Sequence, residues 1–196
     1  MKELFAAGLL MVLLHVPVTH AQSGPQKGSN DMELWTSGGL AISIYGSTSG
    51  TGLWNIGARY GWFLTDQHGS GFLRSRFEYA VDVVPVFWVF QPSGTAYGFG
   101  LNPIALKWNF EKYRSVVPYF EVFGGTLFTN HPVPTGTTRV NFTGGASLGM
   151  DFLHSKYYWG VDVRFLHISN AGLTIPNPAI NTLQVRLGFG LFTKKK

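Results

Sequence analysis

Near the C-terminal end of the chain, the run Phe165-Leu166-His167-Ile168-Ser169-Asn170-Ala171-Gly172-Leu173 is followed by Pro176-Asn177-Pro178-Ala179-Ile180-Asn181. A serine hydroxyl is a weak nucleophile at neutral pH. It attacks an ester only when an adjacent base takes its proton and a third group orients that base. His167 and Ser169 are two positions apart. In an extended strand, side chains at i and i+2 share a face, with backbones about 6.5–7 Å apart, close enough for imidazole to reach the hydroxyl. Asn170, or the backbone N–H groups around Ala171 and Gly172, would then be placed to stabilise an oxyanion. Asn181 is a candidate third member if the segment after the loop returns alongside the first. The chemistry so defined is nucleophilic hydrolysis of an ester. A plainer reading also fits the spacing: an apolar strand face simply ends here, at a rim already wet.

The choice depends on the elements that carry these residues. After residue 32 the sequence divides into eight strand-like runs separated by turn residues, at 32–45, 53–64, 72–90, 96–110, 118–130, 138–153, 157–169 and 180–193. Several alternate with period two, which marks a strand whose faces meet different surroundings. In the sixth, Val140, Phe142, Ala146, Leu148, Met150 and Phe152 oppose Asn141, Thr143, Ser147 and Asp151. In the eighth, Leu183, Val185, Leu187 and Phe189 oppose Thr182, Gln184, Arg186 and Gly188. The second sets Trp54, Ile56, Tyr60 and Trp62 against Asn55, Gly57, Arg59 and Gly61, and the third sets Leu73, Phe77, Tyr79, Val81 and Val83 against Arg74, Arg76, Glu78 and Asp82. In the fourth the alternation slips near Pro103, as at a bulge.

Composition decides which face is inside. Only 13% of residues are charged, 45% are hydrophobic and 15% aromatic, with 25 glycines. A soluble barrel would need a far more charged exterior, since soluble domains carry about 25% charged residues. The polar faces are glycine-rich. They place Arg59, Arg74, Arg76, Arg164 and Arg186 with Glu78, Asp82, Glu121, Asp151 and Asp162, a paired network suited to a narrow lumen. The expected fold is therefore an all-β, eight-stranded antiparallel transmembrane β-barrel, polar within and apolar toward lipid. Aromatics at strand ends (Tyr60, Trp62, Trp108, Phe110, Tyr119, Tyr157, Tyr158 and Trp159) fit interfacial girdles. An even strand count puts both barrel ends in the periplasm, with the turns at 65–71, 111–117 and 154–156 periplasmic and the loops near 46–52, 91–95, 131–137 and 170–179 extracellular. By parity His167 and Ser169 then face lipid with Phe165, and Asn181 shares its face with Leu183, all at the outer-leaflet end. Polar groups on a lipid face cost free energy unless paired.

The remaining sequence bounds the organisation. Lys2, the apolar stretch Leu4 to Val18 and Thr19-His20-Ala21 read as a signal peptide over 1–21. Residues 22–31 are expected to form a loose tail, 32–193 the barrel, and 194–196 a basic tail. The absence of cysteine excludes disulfides and thiol catalysis. His68, His131 and His154 fall in separate turns without metal-ligand spacing, so no metal or other cofactor is expected. The net charge of +5 includes the last three lysines and forms no basic patch with interleaved aromatics, so no nucleic-acid partner is expected.

The run His167-x-Ser169-Asn170-Ala171-Gly172, with Pro176-Asn177 after it, resembles the signature of the lipid A 3-O-deacylase (PagL) family. The motif covers about 15 residues, and the barrel pattern extends the likeness over the mature chain. The resemblance implies an outer-membrane esterase releasing a 3-linked acyl chain from lipid A in the outer leaflet, with Ser169 as nucleophile and His167 as general base. It also exposes a departure. The family places a glutamate where this chain has Asn181, and no acidic residue follows Asp162. An amide can orient imidazole but cannot neutralise imidazolium. In the serine-protease template the acid-to-amide change lowers kcat about 10⁴-fold. The expectation is a slower enzyme, one that recruits another acceptor such as Asn177, or a non-catalytic barrel with a structural or adhesion role.

Overall fold

A computed structural model of the chain describes residues 24–193 other than 45, 46 and 156. The expected signal peptide and the basic tail 194–196 lie outside the described residues. Eight strands run in order: β1 (Asn30–Ala41), β2 (Gly52–Phe63), β3 (Ser75–Gln91), β4 (Gly94–Phe110), β5 (Val116–Thr129), β6 (Val140–Leu153), β7 (Tyr158–Ser169) and β8 (Ile180–Thr193). Each pairs antiparallel with its neighbours, and β8 returns to β1, closing the barrel. Closure leaves no sheet edge, which lipid requires because it offers no partner for a bare N–H or C=O.

The alternation read from sequence sets the two faces. Outward stand Ile56, Val83, Leu148, Met150, Val163, Val185 and Leu187, all exposed to the surroundings of the barrel. Aromatic contacts cluster at two levels on this face. One contains Tyr60, Trp62 and Tyr79 and, nearby, Phe77, Trp108 and Phe120; the other contains Trp54, Trp88 and Tyr97, with Phe99 on Phe128. The expected slip in the fourth strand is present as a register shift between Leu101 and Ile104 on the β5 side.

Inside, the barrel has two layers. The half away from Ser169 holds a charged network. Arg59 donates to both carboxylate oxygens of Asp82 at 2.8 and 3.0 Å and also to Glu121. Lys107 meets Asp151 at 2.9 Å, Arg164 forks onto Asp162, and Arg186 binds Glu33. Glycine makes room for these side chains: a Cβ on Gly188 would overlap the Glu33 carboxylate. The half at the Ser169 end is filled by Trp35, Val84, Phe87, Phe123, Leu127, Leu166, Ile168 and Ile180. Between the layers lies a cavity of about 20 Å³, so the lumen is packed rather than open.

Several sequence expectations are corrected here. The lumen is not polar throughout, because a narrow barrel must be filled by side chains along its whole length. Its charges are not five against five. Asp31, Glu33 and Lys107 are buried in it as well, while Arg76 stands half-buried near its mouth. Arg74 is outside altogether: Gly71–Leu73 form a 3-10 turn, β3 starts at Ser75, and Arg74 pairs at 3.7 Å with exposed Glu111. Tyr119 and Tyr158 do not join the outer girdle. Their hydroxyls donate inward to Asp162 at 2.8 Å and Asp31 at 2.6 Å. β1 runs from Asn30 to Ala41, starting two residues earlier and ending four residues earlier than the first strand-like run, and Gly24 and Pro25 are buried.

Candidate active site on the lipid face

β7 and β8 are neighbours in direct register, with His167 opposite Asn181 and Ile168 opposite Ile180. The isoleucines point into the apolar upper core, where both are fully buried. Because strand side chains alternate, burial of this pair fixes His167 and Asn181 on the outer face. Ser169 is two residues beyond His167 and stands opposite Phe142 of β6. The local sequence therefore sets the site by simple means: inward isoleucines on both strands lock the register, and the polar residues between them are turned out.

The three side chains form one hydrogen-bonded line. Ser169 Oγ is 3.0 Å from His167 Nε2, and His167 Nδ1 is 2.7 Å from Asn181 Oδ1. An amide oxygen only accepts, so Nδ1 carries the imidazole proton. Nε2 is then bare and accepts the Ser169 hydroxyl. This is the tautomer a general base needs. Asn181 is buried, and its carbonyl accepts the Ile42 N–H at 2.8 Å. The β1–β2 loop thus reaches across to the site, where Ser47 bridges Ala179 and Thr48 N–H donates to the Ala179 carbonyl at 2.9 Å. No sequence pattern announced this support, since it joins segments more than 130 residues apart.

The loop after Ser169 is organised by asparagines. Asn170 Oδ1 accepts the Gly172 N–H at 2.9 Å, and its Nδ2 donates to Thr174 Oγ1 at 2.9 Å. The Asn170 N–H donates to Asn177 Oδ1 at 3.1 Å. Asn177 therefore braces the loop, while the histidine partner position is occupied by Asn181. The N–H groups of Asn170 and Gly172 are engaged within the loop. The Ala171 N–H has no acceptor among the described residues. Ala171 and Gly172 both have positive φ, 52° and 81°. Glycine adopts this conformation freely, but an alanine there is strained, and such strain persists only where its surroundings impose it. Around the polar line the outer surface is apolar: Phe142, Leu183 and Leu40 are exposed.

A closed eight-stranded antiparallel barrel with an apolar exterior defines an outer-membrane β-barrel protein. The model of the lipid A 3-O-deacylase (PagL) family matches residues 38–190, and the chain belongs to that family. Among solved structures, the outer membrane enzyme PagL is similar with a TM-score of 0.57 and 17% sequence identity, covering 80% of this chain and 97% of that one. The outer membrane protein OprG from Pseudomonas aeruginosa is similar with a TM-score of 0.54 and 10% identity, covering 88% of this chain and 99% of the other. At these identities the two structures speak for the fold. No curated protein matches the chain.

Proposed function

We propose that this barrel hydrolyses the 3-linked acyl ester of lipid A, with Ser169 as nucleophile, His167 as general base and Asn181 as the group that orients the imidazole. The observation that carries this reading is the continuous line Ser169–His167–Asn181 on the lipid-facing surface of a chain in this family. Polar groups on a lipid face cost free energy unless paired, and these three pair with one another.

Each step follows from the placement of protons. His167 Nε2 takes the Ser169 hydroxyl proton as Oγ attacks the ester carbonyl carbon. The carbonyl oxygen gains the negative charge, and the Ala171 N–H, with the loop held by Asn170 and Gly172, is the donor offered to it. Collapse breaks the bond to the sugar oxygen, which leaves with the proton held on Nε2. Water then gives a proton to Nε2 and attacks the acyl-serine. The fatty acid departs and Ser169 recovers its hydrogen. Throughout, the imidazolium has an amide rather than a carboxylate behind it, so turnover is slower than with an acid at position 181. The acyl chain stays in hydrocarbon beside Phe142, Leu183 and Leu40, while the ester reaches the barrel wall laterally from the outer leaflet.

Incubating purified protein with lipopolysaccharide in detergent micelles and recording mass spectra of the lipid A tests the reading. The expected product is lighter by one 3-linked acyl chain. No loss, or loss from another position, overturns it. A second reading, a barrel with a structural or adhesion role and no turnover, is favoured by one observation: the amide at Asn181.

A further inference from the structure

Charge is distributed very unevenly along the barrel axis. The segments 34–58, 83–106 and 165–185 contain no Asp, Glu, Lys or Arg, and 122–150 contains one such residue, Arg139. These four segments are the four hairpins at the Ser169 end, each with its loop and the adjoining strand halves. The extracellular half of the molecule therefore carries a single fixed charge. Arg139 immediately precedes β6 and is exposed. Its carbonyl is pinned by Thr129, whose N–H donates at 2.8 Å and whose hydroxyl donates at 3.2 Å. Its guanidinium has no partner among the described residues. The acids that flank it in sequence, Glu121 and Asp151, are sealed in the lumen on Arg59 and Lys107.

The position of this cation relative to Ser169 follows from register. β6 and β7 are neighbours, with Phe142 opposite Ser169. Arg139 lies three residues beyond Phe142, an odd offset that roots its side chain on the lumen side of the wall with Asn141, and it is exposed there because β6 begins only at Val140; it therefore stands at the barrel mouth, one strand across from Ser169 and about 10 Å further toward the outside. A lipid whose ester reaches Ser169 holds its head group at that height. At the edge of a low-dielectric layer a lone guanidinium attracts an anion strongly, because no local carboxylate competes for it.

We infer that Arg139 docks a phosphate group of the substrate's head group, as a positioning residue that fixes the sugar while its ester is presented to Ser169. The guanidinium fork matches phosphate geometry and binds it by charge-assisted hydrogen bonds. This rests on the ester-hydrolysis reading above. It adds to that reading a preference for phosphorylated over phosphate-free glycolipid, governed by one residue.

The test compares wild type, Arg139→Gln and Arg139→Lys on phosphorylated and enzymatically dephosphorylated lipid A. Arg139→Gln is expected to raise KM for the phosphorylated lipid about tenfold, with kcat little changed, and to leave cleavage of the dephosphorylated lipid as in wild type. Arg139→Lys is expected to recover part of the preference. Equal slowing on both lipids, or no change on either, overturns the inference. Binding of fluorescent phosphorylated and dephosphorylated lipid A in micelles is measured on the same proteins. If wild type cleaves neither lipid, the hydrolytic reading fails. Weaker binding of the phosphorylated lipid alone by Arg139→Gln then still supports docking, and equal binding by wild type and Arg139→Gln overturns it.

Discussion

His167 and Asn181 face one another directly across the β7–β8 ladder, and the 2.7 Å contact between Nδ1 and Oδ1 selects the imidazole tautomer. The selection depends on which end of the amide is presented. With Oδ1 toward the ring, Nε2 is free to take the serine proton. With the amide turned over, Nδ2 would donate to Nδ1, the proton would move to Nε2, and His167 could no longer act as base. A carboxylate has no such second state.

Asn181→Asp is nearly isosteric with the native residue and removes the unproductive orientation. It also places a negative charge behind the imidazolium. The rate of acyl release from lipid A is expected to rise at least tenfold, with about 10⁴-fold as the ceiling set by the serine-protease template. Asn181→Glu, which restores the residue type of the family, is expected to raise it too. If neither variant releases acyl chains faster, the non-catalytic reading gains.

Asn177 acts at one remove, through the loop that follows Ser169. Asn177→Ala leaves the Asn170 N–H without its acceptor and loosens the backbone that presents Ala171. The expected outcome is a fall in kcat of about tenfold, the scale of one hydrogen bond, with the urea unfolding midpoint unchanged because Asn177 is exposed. A shift in the midpoint as large as the loss of activity would mean that the residue serves stability instead.

Stability rests elsewhere. Arg59 is buried between Asp82 and Glu121, and removing one partner of such a group strands the others without water. Arg59→Met is expected to cost about 3–5 kcal/mol in reversible urea unfolding from lipid vesicles. By contrast, Lys27→Ala breaks an exposed 3.3 Å pair with Asp66 and is expected to change stability by less than about 1 kcal/mol. Equal effects from the two would contradict the assignment of the lumen network as the charged core.

Much of this was legible in the sequence because lipid enforces a strict alternation. The outward parity of His167, Ser169 and Asn181 followed from their apolar neighbours Phe165 and Leu183. What was hidden has physical reasons. Lys107 lies beyond the register shift at Leu101/Ile104, where alternation no longer reports the face. Asp31 and Glu33 alternate with Met32 and Leu34 at the start of β1, but inward Trp35 and outward Thr36 then break the pattern. Leu166, Ile168 and Ile180 alternate correctly but enter an apolar layer that parity alone cannot tell from lipid. The grip of Ile42 on Asn181 joins the first hairpin to the last strand, and backbone contacts of that range leave no mark on side-chain type.

The measurement closest to the central claim is the rate at which Ser169→Ala removes the 3-linked acyl chain of lipid A, set against wild type by mass spectrometry of the lipid. Wild type is predicted to accumulate the lipid lacking that chain, and Ser169→Ala to show no loss above the spontaneous rate, since the hydroxyl proposed to attack is gone. Undiminished cleavage by Ser169→Ala, or none by wild type, would contradict the account.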